Sequence, residues 1–315
     1  MRHRGQTPLA QCAVSACVVR MVTGIAKESW RRKLEDTKIR TKLKEASFCA
    51  FDLETTGLSS FSRIVEIGAV RFKVGEQGES FQTLVDPGCP IPRGAMRVHG
   101  ITDEMVEGAP RAPEVLKEMM TFSEGCVLIA HNARYDASIM ATELVRAGME
   151  FPPNDVLCTI KASKKFLPRM PSYKLQTLNS ILGIDPGVAH RALADAVAAK
   201  QIFERAVTAL PGWGDMGLGE CIDGCLYGRM GANIDIDARV PVELEEVRAA
   251  IGEAMDSGAT MTIVYGGGRR GPWPTQVRPL GFFSVRGGHY LEASCGDGYT
   301  RSFRLDRIVR IVSIE

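Results

Sequence analysis

Two carboxylates, Asp52 and Glu54, stand two residues apart in Phe51-Asp52-Leu53-Glu54-Thr55-Thr56-Gly57-Leu58. They close an apolar run over residues 48–53 that reads as a strand. Residues i and i+2 of a strand share a face, so the two acids converge and repel unless a cation lies between them. Taken alone, Asp-x-Glu after a strand fits a solvated strand end as well as a metal site. Two later segments bear on the choice. Residues 127–130 read as a second buried strand, running into His131-Asn132-Ala133-Arg134-Tyr135-Asp136. Asp136 opens an apolar-periodic helix and would serve equally as its cap. Residues 189–196 are Ala-rich and helical, and contain His190 and Asp195. Five residues apart on a helix is roughly 140° of rotation. Both side chains reach one site only if the chain leaves the helix at His190, or if the site sits at the helix N-terminus.

The set resembles the DnaQ-like 3′→5′ exonucleases of the DEDDh type, over residues 47–207. The resemblance runs through Val98-His99-Gly100-Ile101-Thr102, Ala130-His131-Asn132-Ala133 with Tyr135-Asp136, Ser172-Tyr173-Lys174-Leu175, and His190-Arg191-Ala192 with Asp195. The five family-defining positions are occupied by Asp52, Glu54, Asp136, His190 and Asp195.

The resemblance implies phosphodiester hydrolysis with two Mg²⁺ or Mn²⁺ ions roughly 3.5–4 Å apart, which stabilise the attacking and leaving oxygens together. Hard cations of this kind take oxygen ligands. Asp52 would bridge both ions, Glu54 and Asp195 would join it on the one that holds the attacking water, and Asp136 would serve the other. His190, with an ordinary pKa near 6.5, would be the general base. Thr55, Thr56, Gly57 and Leu58 would hold the 3′-terminal nucleotide, with His131 and Asn132 bracing the substrate side of the site. The implied substrate is a single-stranded 3′ end, DNA ahead of RNA, with a DNA polymerase or repair machinery as partner.

Elements that position these residues can be read from pattern. Strands near 48–53, 64–72 and 79–85 precede βα units with strands at 127–130 and 156–159. Helices follow Pro113, Tyr135, Leu175 and Ala189. Antiparallel strands first and βα units after predict an α/β fold, a ribonuclease-H-like mixed sheet flanked by helices, with ligands at strand C-termini.

The chain of 315 residues is 45% hydrophobic with net charge +2, which allows two cores plus extensions. Residues 1–46 form a basic extension: from Met1 to Ser47 there are 11 Lys and Arg against 4 acids. Its residues 8–19 faintly imitate a signal peptide, and Met21 is as good a start as Met1. The nine cysteines are scattered, and Cys221-x-x-x-Cys225 lacks the second ligand pair of a zinc site. No apolar run spans a membrane, and a reducing cytoplasm is the expected location.

Residues 208–240 are rich in glycine and read as a linker. Residues 241–315 read as a helix followed by five short alternating strands, a small Sm/SH3-like β-barrel. Within it, residues 258–313 resemble a WYL domain through Arg278-Pro279-Leu280, His289-Tyr290-Leu291 and residues 301–308, with His289 where the family's tryptophan stands. The resemblance implies a nucleic-acid or nucleotide-like ligand, for which Tyr290 would stack and Arg301, Arg304 and Arg307 would meet phosphates. Two readings of the whole chain follow: an exonuclease with a binding domain attached, or a nucleic-acid sensor whose exonuclease fold chiefly binds 3′ ends. The complete set of five residues favours the first.

Overall fold

The computed structural model describes residues 41–57, 62–185, 187, 189–231, 242–266, 273–285, 288–296 and 300–315. The basic extension before residue 41 and the substrate-side Leu58 lie outside the described residues. A six-stranded sheet comprises β1 (Phe48–Thr55), β2 (Ile64–Phe72), β3 (Glu79–Leu84), β4 (Val127–Ala130), β5 (Asp155–Cys158) and β6 (Leu226–Arg229), in the order β3-β2-β1-β4-β5-β6. β1, β2 and β3 pair antiparallel, β1, β4 and β5 pair parallel, and β6 closes the edge antiparallel. This is the mixed sheet that the sequence predicts.

Its helices are α1 (Arg93–His99), α2 (Asp103–Val106), α3 (Ala112–Phe122), α4 (Arg134–Arg146), α5 (Thr159–Phe166), α6 (Leu175–Leu182), α7 (Ala192–Thr208) and α8 (Leu218–Ile222). The two faces of the sheet bury separate cores. Cys49, Phe51 and Leu53 of β1 enter the core with α3 and α4, while Phe48 and Ala50 face α7. The period of two therefore puts Asp52 and Glu54 on the α7 face, in line with Phe48 and Ala50. Small side chains let α7 lie close: Ala192, Ala196, Ala199 and Ala206 are buried beneath it, and Phe203 meets Phe48 at 5.0 Å between ring centroids.

The stretch 208–240, expected to be a linker, contains regular structure. Its glycine content predicts a break in regular structure, yet it holds α8 and β6, and β6 pairs with β5 through Asp155↔Arg229 and Val156↔Gly228. The reason is burial. Leu218, Cys221 and Cys225 enter the α7-side core, and Met230 enters the opposite one.

The C-terminal part consists of α9 (Val242–Ser257) and the strands β7 (Met261–Tyr265), β8 (Trp273–Val285), β9 (Gly288–Cys295), β10 (Thr300–Arg304) and β11 (Ile308–Ile314). They form an antiparallel sheet in the order β10-β9-β8-β7-β11, with α9 packed on it through Ile251 and Ala254. The expected barrel closure is not seen among the described residues: β10 and β11 are the two edges, joined by a single 3₁₀ turn at Leu305–Arg307. No helix among the described residues is long and apolar enough to cross a membrane.

Candidate active site

Asp52 sits opposite Gly68 and Glu54 opposite Glu66 in the β1–β2 ladder, just before a register shift between Glu54 and Thr55. A bulge at that point re-aims the chain beyond the acids. α7 arrives over the same spot because Gly68 has no side chain. A Cβ there would lie 2.1 Å from the Leu193 nitrogen and 2.2 Å from the Ala192 carbonyl carbon. Glu66 fixes the helix end: it accepts the Ala192 N–H at 2.9 Å and a forked pair from Arg191, with Gln82 adding a third partner. Burial opposes ionisation of Glu66, but these hydrogen bonds outweigh it and hold its pKa below the usual carboxylate value.

The geometry resolves the five-residue spacing. α7 begins at Ala192, and His190 precedes it with φ 60, so the imidazole is not on the helix. Asp195 lies in the first turn, at the N-terminal end. One ligand atom each from Glu54, His190 and Asp195 lies within 4.8 Å of the others. His190 and Asn132 (φ 56) are the non-glycine residues with left-handed backbone among those described, a conformation that costs energy and clusters at functional sites. Asp136, 3% exposed, enters from the first turn of α4.

The electrostatics are those of a cation site. Burial, followed by repulsion from Asp195, Glu66 and Asp136, pushes Glu54 up to about 8 against Arg191. Burial pushes Asp136 up to about 7, with backbone N–H groups opposing and Asp195 adding to it. Burial and the charges of Asp136, Asp195 and Glu54 raise Asp52 well above its ordinary value. Asp195 is raised by burial although the charge of His190 opposes it, and its Oδ1 is buried without a hydrogen-bond partner. Four acids that resist ionising together, one with an orphaned oxygen, suit one or more divalent cations held by carboxylate oxygen.

Stability should follow from this. Glu54 and Asp136 bind protons more tightly folded than unfolded, so stability is full below the unfolded carboxylate pKa and is lost as pH rises through about 7 to 8. In chelator the melting temperature should fall between about pH 5 and pH 8, and Mg²⁺ should raise it more at the higher pH. A chelated protein whose melting temperature is flat over that range would contradict the assignment of charge.

The neighbouring residues mostly brace. Thr55 Oγ1 and Tyr135 Oη lie 2.8 Å apart, both within 2.7 Å of the Gly57 carbonyl, so the Thr55 hydroxyl is engaged inside the turn. Thr56 Oγ1 accepts the Arg63 N–H at 2.9 Å, and the Thr56 N–H donates to the Arg63 carbonyl. His131 is bonded on both ring nitrogens, to Thr159 Oγ1 at 2.7 Å and to the Tyr173 carbonyl at 3.0 Å. The carbonyl requires the N–H on Nε2, and burial, pushing the ring's pKa down to about 4, favours its neutral form. His99 is buried and accepts the Ile101 N–H at 3.0 Å.

A cleft of about 790 Å³ opens beside Asn132 at the C-terminal ends of β4 and β5, lined by Arg134, Lys161, Lys164 and Tyr227 among others. None of these four was singled out from sequence. The i, i+3 spacing of Lys161 and Lys164 on α5 was the available signal, whereas Tyr227 lay inside the supposed linker. In the C-terminal sheet, Arg304 forks onto Asp306 at 2.8 and 2.5 Å, and Tyr290 stacks on Phe283 with centroids 5.4 Å apart. His289, which stands where the WYL family has its tryptophan, is buried with Nδ1 2.8 Å from Ser284 Oγ. Arg301 and Arg304 lie on β10, where Arg304 is the register partner of Tyr290 on β9, and Arg307 ends the 3₁₀ turn.

Residues 49–203 match the family model described as Exonuclease, and residues 246–313 match that of the WYL domain. A DNA polymerase III PolC-type of Caldanaerobacter subterraneus is 38% identical over 160 residues, which is 50% of this chain and 11% of that one. A DNA polymerase III subunit epsilon-like protein of Rhodobacter capsulatus is 41% identical over 182 residues, 56% of this chain and 26% of that one. The chain thus spans only a small share of the length of these curated relatives. A solved structure of exonuclease X in complex with 5′ overhanging duplex DNA is 26% identical, covering 55% of this chain and 99% of that one, with a TM-score of 0.43. The chain therefore carries a DnaQ-like exonuclease-family domain over residues 49–203, followed by a WYL domain over residues 246–313.

Proposed function

We propose that this protein is a divalent-metal-dependent 3′→5′ exonuclease that removes nucleoside monophosphates from single-stranded DNA ends, and that its WYL domain binds nucleic acid or a nucleotide-like ligand. The observation that carries it is the convergence of Asp52, Glu54, Asp136 and Asp195 with His190 at the N-terminal end of α7. Relatives named for DNA polymerase III favour DNA over RNA and a cytoplasmic replication or repair complex as partner. The exonuclease unit spans residues 47–207 and the WYL unit, with its leading helix, residues 241–315.

Bound Mg²⁺ or Mn²⁺, two per site, would supply charge neutralisation on the attacking and leaving oxygens. Asp52, Glu54 and Asp195 would hold the ion nearest the attacking water, and Asp136 the other. His190, free of the helix, takes the proton from the attacking water at an imidazole nitrogen. The turn 55–57 would meet the terminal nucleotide through its remaining backbone groups, since its threonine hydroxyls, the Thr56 N–H and the Gly57 carbonyl are already engaged. Arg134, Lys161 and Lys164 line the path for the strand behind it, where fixed positive charge meets phosphates.

The deciding assay compares 3′-labelled, 3′-blocked and circular single strands in Mg²⁺. Release of mononucleotides only from free 3′ ends is expected; cutting of the circle at a similar rate would reject the polarity. Retention of 3′ ends without cleavage would move the protein to the end-binding sensor class. His190→Ala should lower turnover by roughly 10²–10⁴-fold with little change in substrate affinity. An unchanged rate near neutral pH would show that another group activates the water.

A further inference from the structure

Outside the catalytic cluster, the strongest charge constellation among the described residues joins the two domains. Glu292, on β9 of the WYL sheet, is only 8% exposed. Its Oε1 lies 3.2 Å from Arg63 Nη1 and 3.1 Å from Arg146 Nε. The same two arginines meet Glu143 Oε1 at 2.8 and 2.7 Å. Two acids and two bases alternate, so the group is neutral as a whole, and the Arg146 guanidinium also lies 5.5 Å over the Phe283 ring of β8. Glu143 and Arg146 belong to α4, the helix that carries Asp136.

Arg63 belongs elsewhere. Its backbone is the partner of Thr56: the Thr56 N–H donates to its carbonyl, and its own N–H donates to Thr56 Oγ1, both at 2.9 Å. Thr55 and Gly57 are tied in turn to Tyr135 of α4. The turn after the catalytic acids is thus held from one side by α4 and from the other by Arg63, whose side chain ends on Glu292. The Arg63 side chain is only 21% exposed, and removing one acid from this cluster leaves an uncompensated charge that relaxes by moving.

We propose that Glu292 is a positioning residue for the exonuclease site: through Arg63 the WYL domain fixes the Thr55–Gly57 turn that grips the terminal nucleotide. The proposal rests on the nuclease reading given above. It differs from a role for the WYL domain in capturing the polynucleotide, because its effect is felt by the terminal nucleotide alone. A displaced grip weakens binding without removing any group from the reacting atoms, so it appears in KM more than in kcat.

The test uses the full chain and Glu292→Gln, which keeps the shape and removes the charge. KM is measured for a 3′-labelled single-stranded oligonucleotide and for the p-nitrophenyl ester of thymidine 5′-monophosphate, which has no upstream strand. A rise of roughly ten-fold for both substrates, with kcat changed much less, is expected. An unchanged KM for the ester, whether or not the oligonucleotide weakens, overturns the proposal. Should Glu292→Gln fail to fold by circular dichroism, Glu292→Asp, which keeps the charge but withdraws it by one methylene, gives the same comparison. If the wild type cleaves neither substrate, the nuclease reading fails on its own account. The affinities of wild type and variant for thymidine 5′-monophosphate, measured by calorimetry in Ca²⁺, then decide the role of Glu292: equal affinities reject it.

Discussion

Asp52→Ala should lower turnover by roughly 10³-fold or more, while making the metal-free protein more stable as pH rises above the ordinary carboxylate range. Asp52 faces the N-terminal end of α7 from the central strand, opposite Gly68, where the fields of Glu54, Asp136 and Asp195 overlap. Any cation shared between these acids must be held there, so the loss of this one carboxylate cannot be made good by the others. The stability gain has the opposite sign for the same reason. Burial and three neighbouring acids raise Asp52 because its ionised form is unfavourable in the folded chain, and alanine removes that penalty. Asp52→Asn separates charge from volume and should behave alike in both respects. The measurements are single-turnover cleavage in Mg²⁺ and melting temperature in chelator across pH. Wild-type turnover in either variant would remove Asp52 from the site. A lower melting temperature in chelator at pH 8 would mean that the acid is structurally favourable, against the charge assignment.

Much of the site was legible because its parts are local. Asp52 and Glu54 share a face by the period of a strand, and Asp136 opens an apolar-periodic helix, whereas the inclusion of Asp195 with them follows from the family resemblance rather than from spacing. The His190–Asp195 spacing stated its own condition, and the chain meets it by beginning α7 at Ala192 after a left-handed residue. What pattern could not give was contact between distant segments. Composition is silent on whether a glycine-rich stretch is solvated or, as with Leu226–Arg229, adds an edge strand whose backbone pairs with β5. Nor does any local pattern reveal that Glu292 meets Arg63, 229 residues away. The arginines of the C-terminal sheet show the same limit: their charge can be counted from the sequence, but the pairing of Arg304 with Asp306 depends on the turn geometry at Leu305.

Gly68→Ala carries the second large expectation, since it tests whether the approach of a helix to a sheet assembles the site. Gly68 has an ordinary extended backbone, so what alanine changes there is space. Its methyl group would meet the Leu193 nitrogen and Ala192 carbonyl carbon at 2.1 and 2.2 Å, well inside contact. The obstructing atoms are main chain, and no rotamer change can clear them. α7 must withdraw, carrying Asp195 and His190 away from Glu54 and stretching the hydrogen bond from the Ala192 N–H to Glu66. Overpacking of this kind costs about 1–3 kcal/mol, and an ångström of displacement among reacting groups can cost on the order of 10²-fold in rate. Gly252→Ala is the control. Gly252 lies within α9, a Cβ there meets nothing within 4 Å, and alanine is the better helix former by about 1 kcal/mol. The expected pattern is a lower melting temperature and a loss of roughly 10²-fold in cleavage for Gly68→Ala, against unchanged cleavage and equal or higher stability for Gly252→Ala. If Gly68→Ala melts and cleaves like the wild type, α7 does not rest on β2 at this point, and Glu54, His190 and Asp195 must be brought together by another contact.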